Sequence, residues 1–540
     1  MSSYDTIIVG AGSAGCVLAN RLGEDAGRRI LVLEAGGPDT HPLIRIPLGV
    51  GKVWSNPRWN WNYNGEPEPN VDNRSIFHPR GKVLGGSSSI NIMAYVRCHR
   101  NDFDRLPQLG LKGWSYADCL PYFKRAEHHE NGGDDFHGEG GPLRTRKNPA
   151  HDAIYDAFLA AAPELGYKPN PDYNGAEQEG FSKMQHTIGA GMRWSTARGY
   201  LRPALKRGNI TLITNAHATK ILFDGPRAIG IEYRKGGETV TANAEQIILS
   251  GGAYNSPQLL MLSGIGPADE LRERGITPRV DLKGVGKNLW DHPSLGTLWA
   301  RKNKAPFLDK LRMDRLALAM AQAYFLNSGF ATLLPANGTA FVRSTKDVEV
   351  PDIQAYCGSG GYQSREWFPG WRKRGPDVIS LLFCHVREQS RGAVTLASAD
   401  PMAKPKIFNN FLSTDYDRRA MREGVKFCMG VARSKAFAPY AGDPVIPGVE
   451  DLKTDAGIDA FVRRSMITIY HPAGTCKAGT DAMAVVDPGF RVRGTEALRV
   501  VDASIFPEPL GGNINAPTIM MAEKASDIIR GRAPLAPADV

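Results

Sequence analysis

Residues 6–15, TIIVGAGSAG, constrain this chain more than any other stretch. A β-branched run too short for a helix stops at a glycine. Gly10-Ala11-Gly12-Ser13-Ala14-Gly15 then satisfies the pattern GxGxxG, and CVLANRL continues with helical character. Gly10 permits the tight turn, Gly12 lets the backbone approach a pyrophosphate, and Gly15 lets the helix pack on the strand. A phosphate held there sits at the helix N-terminus, where Ser13 and Ala14 present free N–H groups. The context strengthens the pattern. RILVLEAGG (29–37) reads as a second buried strand ending at Glu34, with Ala35 beside it, 24 residues after Gly10. That is the spacing of a carboxylate that accepts from an adenosine ribose, so the fingerprint holds NAD or FAD.

No second fingerprint follows. GAGMRW (189–194) and GSGGYQ (358–363) both fail at the final glycine. Flavoenzymes that draw electrons from NAD(P)H often carry two such sites, so a flavin here is expected to take electrons from the substrate itself. RGKVLGGSSSIN (80–91) points to the flavin, because adjacent glycines and three serines offer many N–H and hydroxyl groups to an extended cofactor. Its flanks, Val83, Leu84, Ile90, Ile92 and Met93, are too apolar for a flexible linker.

At 540 residues the chain is long enough for two domains, and 42% apolar with 23% charged residues is an ordinary globular balance. The net charge of +10 is scattered without a basic run, so no nucleic-acid partner is expected. Seven cysteines form no CxxC pair, which argues against a metal site or a disulfide framework and fits a reducing compartment. The opening MSSYDTIIVGAG has no basic stretch followed by an apolar core, so no secretory leader is expected, and no apolar run suffices to span a bilayer. The expected location is cytoplasmic, or peripheral to the inner membrane. RMDRLALAMAQAYFL (312–326) could lie on a membrane, but an amphipathic helix packed on the core is the favoured reading. REWFPGWRKRGPD (365–377) could lid a site, with a solvated loop favoured. AVTLASA (393–399) and DIQAYC (352–357) alternate as strands do.

IYHPAGT (469–475) places His471 between apolar residues and a proline, where a neutral imidazole suited to taking a proton could be held. GAYNSPQLLMLSGIG (252–266), GVGKNLWDHP (284–293), VVDASIFP (500–507) and GNINAPTIMMAEKASDII (512–529) complete the set of separated motifs. Together with GKVLGGSSSIN they resemble the glucose–methanol–choline (GMC) oxidoreductases, FAD enzymes that oxidise alcohols. The nearest likeness is the choline-dehydrogenase-like and aliphatic-alcohol-dehydrogenase branch.

The resemblance implies an α/β fold: a Rossmann-like FAD-binding domain with a discontinuous substrate domain built on an antiparallel sheet flanked by helices. The expected FAD-binding domain comprises residues 1–154, 195–296 and 465–540, and the substrate domain 155–194 and 297–464. It makes His471 the catalytic base and Asn515 its hydrogen-bonding partner. Gly10, Gly12, Ser13, Ala14, Gly15, Glu34 and Ala35 would hold the ADP half of FAD, with Ala218 at the adenine. Gly81, Val83, Gly86, Ser87, Asn91, Ile92, Met93 and Ala94 would line the phosphate and isoalloxazine side. Asp502 and Ala503 would meet the pyrophosphate–ribityl region, and Asn515, Pro517 and Thr518 the flavin ring. Some covalent-flavin relatives have a histidine where this chain has Ile90, so FAD is expected to be non-covalent.

The expected reaction is oxidation of a primary alcohol to the aldehyde, with electrons passed to a quinone. An O2-using alcohol oxidase is the alternative, and a non-redox flavoprotein a remoter one. Asn515 and Pro517 also suit the start of a C-terminal helix that stops at Gly531 and aims its positive end at the flavin.

Overall fold

The computed structural model describes residues 3–361 and 364–540, so the last two positions of GSGGYQ lie outside the described residues. The N-terminal β-branched run forms β1 (Ser3–Val9), followed by α1 (Ser13–Leu22) and β2 (Ile30–Glu34). β1 pairs in parallel with β2 on one side and with Glu238–Leu249 on the other. All five residues of β2 are buried, as expected of a parallel strand covered on both faces.

The first sheet runs Ile210–Thr214, β2, β1, Glu238–Leu249, Arg227–Lys235, His217–Asp224, with Leu498–Val500 added beside Ile247–Leu249. Glu238–Leu249 belongs to two patterns. Its first half closes an antiparallel meander with Arg227–Lys235, and its second half lies parallel to β1.

The C-terminal helix α2 (Asn515–Arg530) ends, as expected, on a left-handed Gly531. Instead of the single buried face of an amphipathic helix, every residue from Ala516 to Asp527 is buried. The reason is a buried carboxylate. Glu523 accepts from Arg21 of α1 at 2.8 and 2.9 Å, from Arg125 at 2.9 Å and from the Tyr200 hydroxyl at 2.8 Å. Charged residues on this helix are satisfied inside the protein rather than by water.

The second sheet is antiparallel throughout. Its order is Ala441–Ile446, Pro293–Arg301, Val378–His385, Ile353–Gly358, Ala336–Val342, Gly180–Lys183. Ile467–Thr468 pairs with the start of Pro293–Arg301. Strand alternation divides the residues between the two faces. Ile379, Leu381 and Phe383 enter a core with Met421, Val425 and Cys428 of helix Asp415–Arg433, while Ser380 and Leu382 face a cavity on the other side. The expected boundary at 296–297 falls inside the strand Pro293–Arg301.

Three expectations are corrected or refined. DIQAYC joins the second sheet, but Ala393–Thr395 pairs only with Lys406–Phe408, in a separate two-stranded ribbon. Met313–Leu326 is a helix that barely packs on the core. Ala323 alone in it is fully buried, whereas Leu318, Phe325 and Leu326 are 71%, 75% and 69% exposed. The 365–377 segment is irregular and lines no part of the cavity among its described residues. Its Trp367 indole anchors it to the Leu308 carbonyl at 2.7 Å. Among the described residues no helix is long and apolar enough to cross a membrane, no group of three or more His, Cys, Asp or Glu is placed to hold a metal, and all seven cysteines are buried and free.

Candidate active site

A cavity of about 850 Å³ runs from the ends of β1 and β2 to the inner face of the second sheet. At its first end the two glycine-rich stretches meet. Gly10 has φ +101°, and a Cβ there would lie 2.4 Å from the Ser250 carbonyl oxygen. Gly86, also at positive φ, abuts Gly12, and Gly85 N–H donates to the Ala11 carbonyl. Gly12 has no neighbour closer than 4.0 Å along its missing Cβ, so the backbone there is open to close approach from the cavity. α1 begins without a side-chain cap, which leaves its first N–H groups for an anion. The Glu34 carboxylate accepts from Ala11 N–H at 2.9 Å and Gly36 N–H at 2.8 Å. Burial pushes its pKa up to about 7 against those two donors.

Of the residues expected to hold a cofactor, Gly10, Gly12, Ser13, Ala14, Glu34, Ala35, Gly81, Gly86, Ser87, Asn91, Ile92, Met93, Ala94, Ala218, Asp502, Ala503, Asn515 and Thr518 line this cavity. Gly15, Val83 and Pro517 do not. Gly15 packs against Gly10, as a helix–strand contact requires. Val83 lies behind the loop with Ile44, Val53, Trp59 and Ile90, and Pro517 is buried within α2. The Asp502 carboxylate takes the N–H groups of Gly252 and Ser504 and the Ser256 hydroxyl. It thereby fixes the start of helix Gly252–Leu262 at the cavity wall. Gly252 to Ser256 line the cavity too, a role that GAYNSPQ signalled without naming residues.

At the far end the backbone sets His471 in place. Tyr470 has φ +70°, a left-handed conformation costly for a non-glycine residue. His471 N–H donates to Asp291 Oδ1 at 2.7 Å, Ile469 N–H donates to the His292 carbonyl, and Ala473 pairs with Trp290. WDHP therefore serves as the brace for IYHPAGT, a relation that separation along the chain concealed. His292 is itself fully buried between Glu388 Oε2 (2.9 Å) and the Gly512 carbonyl (3.2 Å).

The amide that reaches the imidazole is Asn513, not Asn515. Asn513 Nδ2 lies 3.1 Å from His471 Nε2, while Asn513 Oδ1 accepts from Gln354 Nε2 at 3.1 Å and the Tyr356 hydroxyl at 3.2 Å. Asn515 Oδ1 instead accepts from Ser13 Oγ at 2.7 Å, tying the starts of α1 and α2 together. Asn513 precedes the helix and Asn515 opens it, so the two amides leave the chain in different directions. Two donors on Asn513 Oδ1 orient its NH2 toward His471 Nε2, which must then accept. The imidazole proton belongs on Nδ1, which has no protein partner. Burial, then the nearby His292 and Arg80, hold the His471 pKa well below its usual value. Arg80 lines the cavity and donates to the Tyr470 carbonyl at 2.6 Å.

The GMC oxidoreductase family models match residues 4–294 and 388–522. An oxygen-dependent choline dehydrogenase of Sinorhizobium fredii (strain NBRC 101917 / NGR234) is 45% identical over 98% of this chain and 96% of its own. One from Brucella ovis is 42% identical over the same shares. Among solved structures, pyridoxine 4-oxidase from Mesorbium loti superposes with TM-score 0.88 at 31% identity, covering 98% of this chain and 100% of that one. A formate oxidase structure superposes with TM-score 0.90 at 26% identity, covering 98% of each chain.

Proposed function

The chain belongs to the GMC oxidoreductase family, and we propose that it oxidises a primary alcohol to the aldehyde using non-covalently held FAD. One observation carries the reading: His471 Nε2 and Asn513 Nδ2, 3.1 Å apart, face the same cavity whose other end bears the dinucleotide fingerprint.

The residues present fit FAD. The cleared backbone at Gly12, the uncapped start of α1 and the buried Glu34 suit a pyrophosphate and its ribose. When bound, FAD supplies the hydride acceptor. Ile90 offers no nucleophile for a covalent link, so protein precipitated by acid should leave its yellow colour in the supernatant.

The protein's task is the proton. The substrate hydroxyl takes the place of the Asn513 N–H at Nε2, the neutral His471 accepts the proton there, and the freed Asn513 N–H donates to the oxygen as negative charge develops on it. Asp291 and the Arg80–Tyr470 contact hold the loop in position. The body built from residues 1–154, 195–292 and 465–540 holds the cofactor, and the second sheet covers the site from water. As acceptor we take a quinone. The name of the relatives, oxygen-dependent choline dehydrogenase, favours O2 as a second reading. Peroxide formation matching aldehyde formation one for one would decide for O2.

The test is anaerobic, substrate-dependent bleaching of the flavin band. His471→Ala should slow flavin reduction by ~10²–10⁴-fold while FAD content stays at wild-type level. A variant reduced at wild-type speed would remove the imidazole from the reaction.

A further inference from the structure

We infer that the substrate end of this cavity selects an uncharged alcohol on an apolar chain and discriminates against a quaternary ammonium alcohol. The inference rests on the proposed alcohol oxidation and names its substrate class.

The first ground is the charge around the cavity. Among the described residues lining it, the only carboxylates are Glu34 and Asp502. Both are spent on backbone N–H groups and a serine hydroxyl at the nucleotide end. Two further acids, Asp291 and Glu388, lie behind the imidazoles. Asp291 holds the His471 N–H and faces His78, Glu388 holds the His292 ring, and neither lines the cavity. Among the described lining residues, the one permanent charge at the His471 end is the Arg80 guanidinium, of the same sign as an ammonium. A trimethylammonium group brought here from water would lose its hydration and meet no opposite charge.

The second ground is shape. On the cavity face of the second sheet, Ser380 pairs with Gly358 and Gly358 with Ala336, which sets a row of small residues across three strands. A parallel row carries Leu382 opposite Tyr356. Tyr356 is turned by its bond to Asn513, so its ring flanks the trough beside the His471–Asn513 pair. Met184, Ile446 and Ile469 add apolar wall. A trough of this kind accepts an extended hydrocarbon chain and rewards each methylene buried.

The test uses the FAD-loaded enzyme and compares choline with 3,3-dimethyl-1-butanol, which replaces the ammonium nitrogen by carbon at the same shape, together with 1-alkanols of two to ten carbons. The neutral isostere should exceed choline in kcat/KM by at least a hundredfold, and kcat/KM should rise roughly fourfold per methylene until the trough is full. Ser380→Asp, which places a carboxylate in the trough, should narrow the isostere-to-choline ratio at least tenfold. Choline equal to or better than its isostere would overturn the inference and make the ring faces of Trp54, Tyr356 and Tyr470 a cation cage. A flat alkanol series, or a ratio unmoved by Ser380→Asp in a variant that keeps its FAD, would overturn it as well. If no alcohol bleaches the flavin, the parent reading falls and this one with it.

Discussion

The protonation of His471 is decided by its neighbours and not by the ring's own chemistry. A primary amide whose oxygen is already occupied by Gln354 and Tyr356 can only donate to Nε2. Burial first, then the nearby His292 and Arg80, keep the ring neutral well below pH 6.5. The rate of anaerobic flavin reduction should therefore stay level as pH falls from 8 through 6.5 and drop only below that. A midpoint above 6.5 would contradict a depressed imidazole. The two asparagines should separate cleanly: Asn513→Ala lowers the reduction rate with FAD retained, whereas Asn515→Ala, which breaks the Ser13 contact, weakens FAD retention first. Equal effects from both would remove the distinction.

At the scale of elements, two helices depart from the half-buried amphipathic pattern in opposite directions. α2 is buried nearly all round and depends on Glu523, which Arg21, Arg125 and Tyr200 share. Glu523→Ala leaves two arginines without their buried partner and should cost about 3–5 kcal/mol in equilibrium unfolding. On Met313–Leu326, Phe325 is three-quarters exposed. Phe325→Ser should change stability by no more than about 0.5 kcal/mol, because little apolar area is lost from a packed environment. Denaturant curves on the two variants test the contrast.

Across the whole molecule, distant segments are joined by buried ionic clusters as well as by the two cores. His137 lies between Glu127 Oε2 (3.0 Å) and Asp172 Oδ2 (2.7 Å), and Glu127 also binds Arg97. Burial opposes charge on His137, but the two carboxylates outweigh it and push its pKa up to about 9. Glu127 falls to about 2, where Arg97 and His137 overcome burial. A raised imidazolium stabilises the fold fully below its unfolded value of 6.5 and loses that contribution as pH rises through about 9. A depressed carboxylate contributes above 4.5 and fails as pH falls toward 2. The stability gap between wild type and His137→Gln should thus be widest near pH 5–6.5 and shrink by pH 10. A gap independent of pH would show that His137 contributes by packing alone.

Local physics made much of this protein readable from its residues. The glycine pattern at 10–15, the strand ending at Glu34, the proline near the start of α2 and Gly531 at its end each specify a backbone geometry within a few neighbours. Local constraints of that kind are written in the chain. His471 was legible as a candidate for a similar reason, since few settings place an imidazole among Tyr470, Pro472 and Gly474. Its partner was not. Asn513 and Asn515 are equivalent by composition and nearly so by position, and only the donors brought by Gln354 and Tyr356 from another sheet distinguish them. The same holds for the brace at Asp291, for the burial of α2, and for the substrate trough. Each depends on which distant surfaces meet, and that is set by the packing of two sheets whose strands come from widely separated parts of the chain.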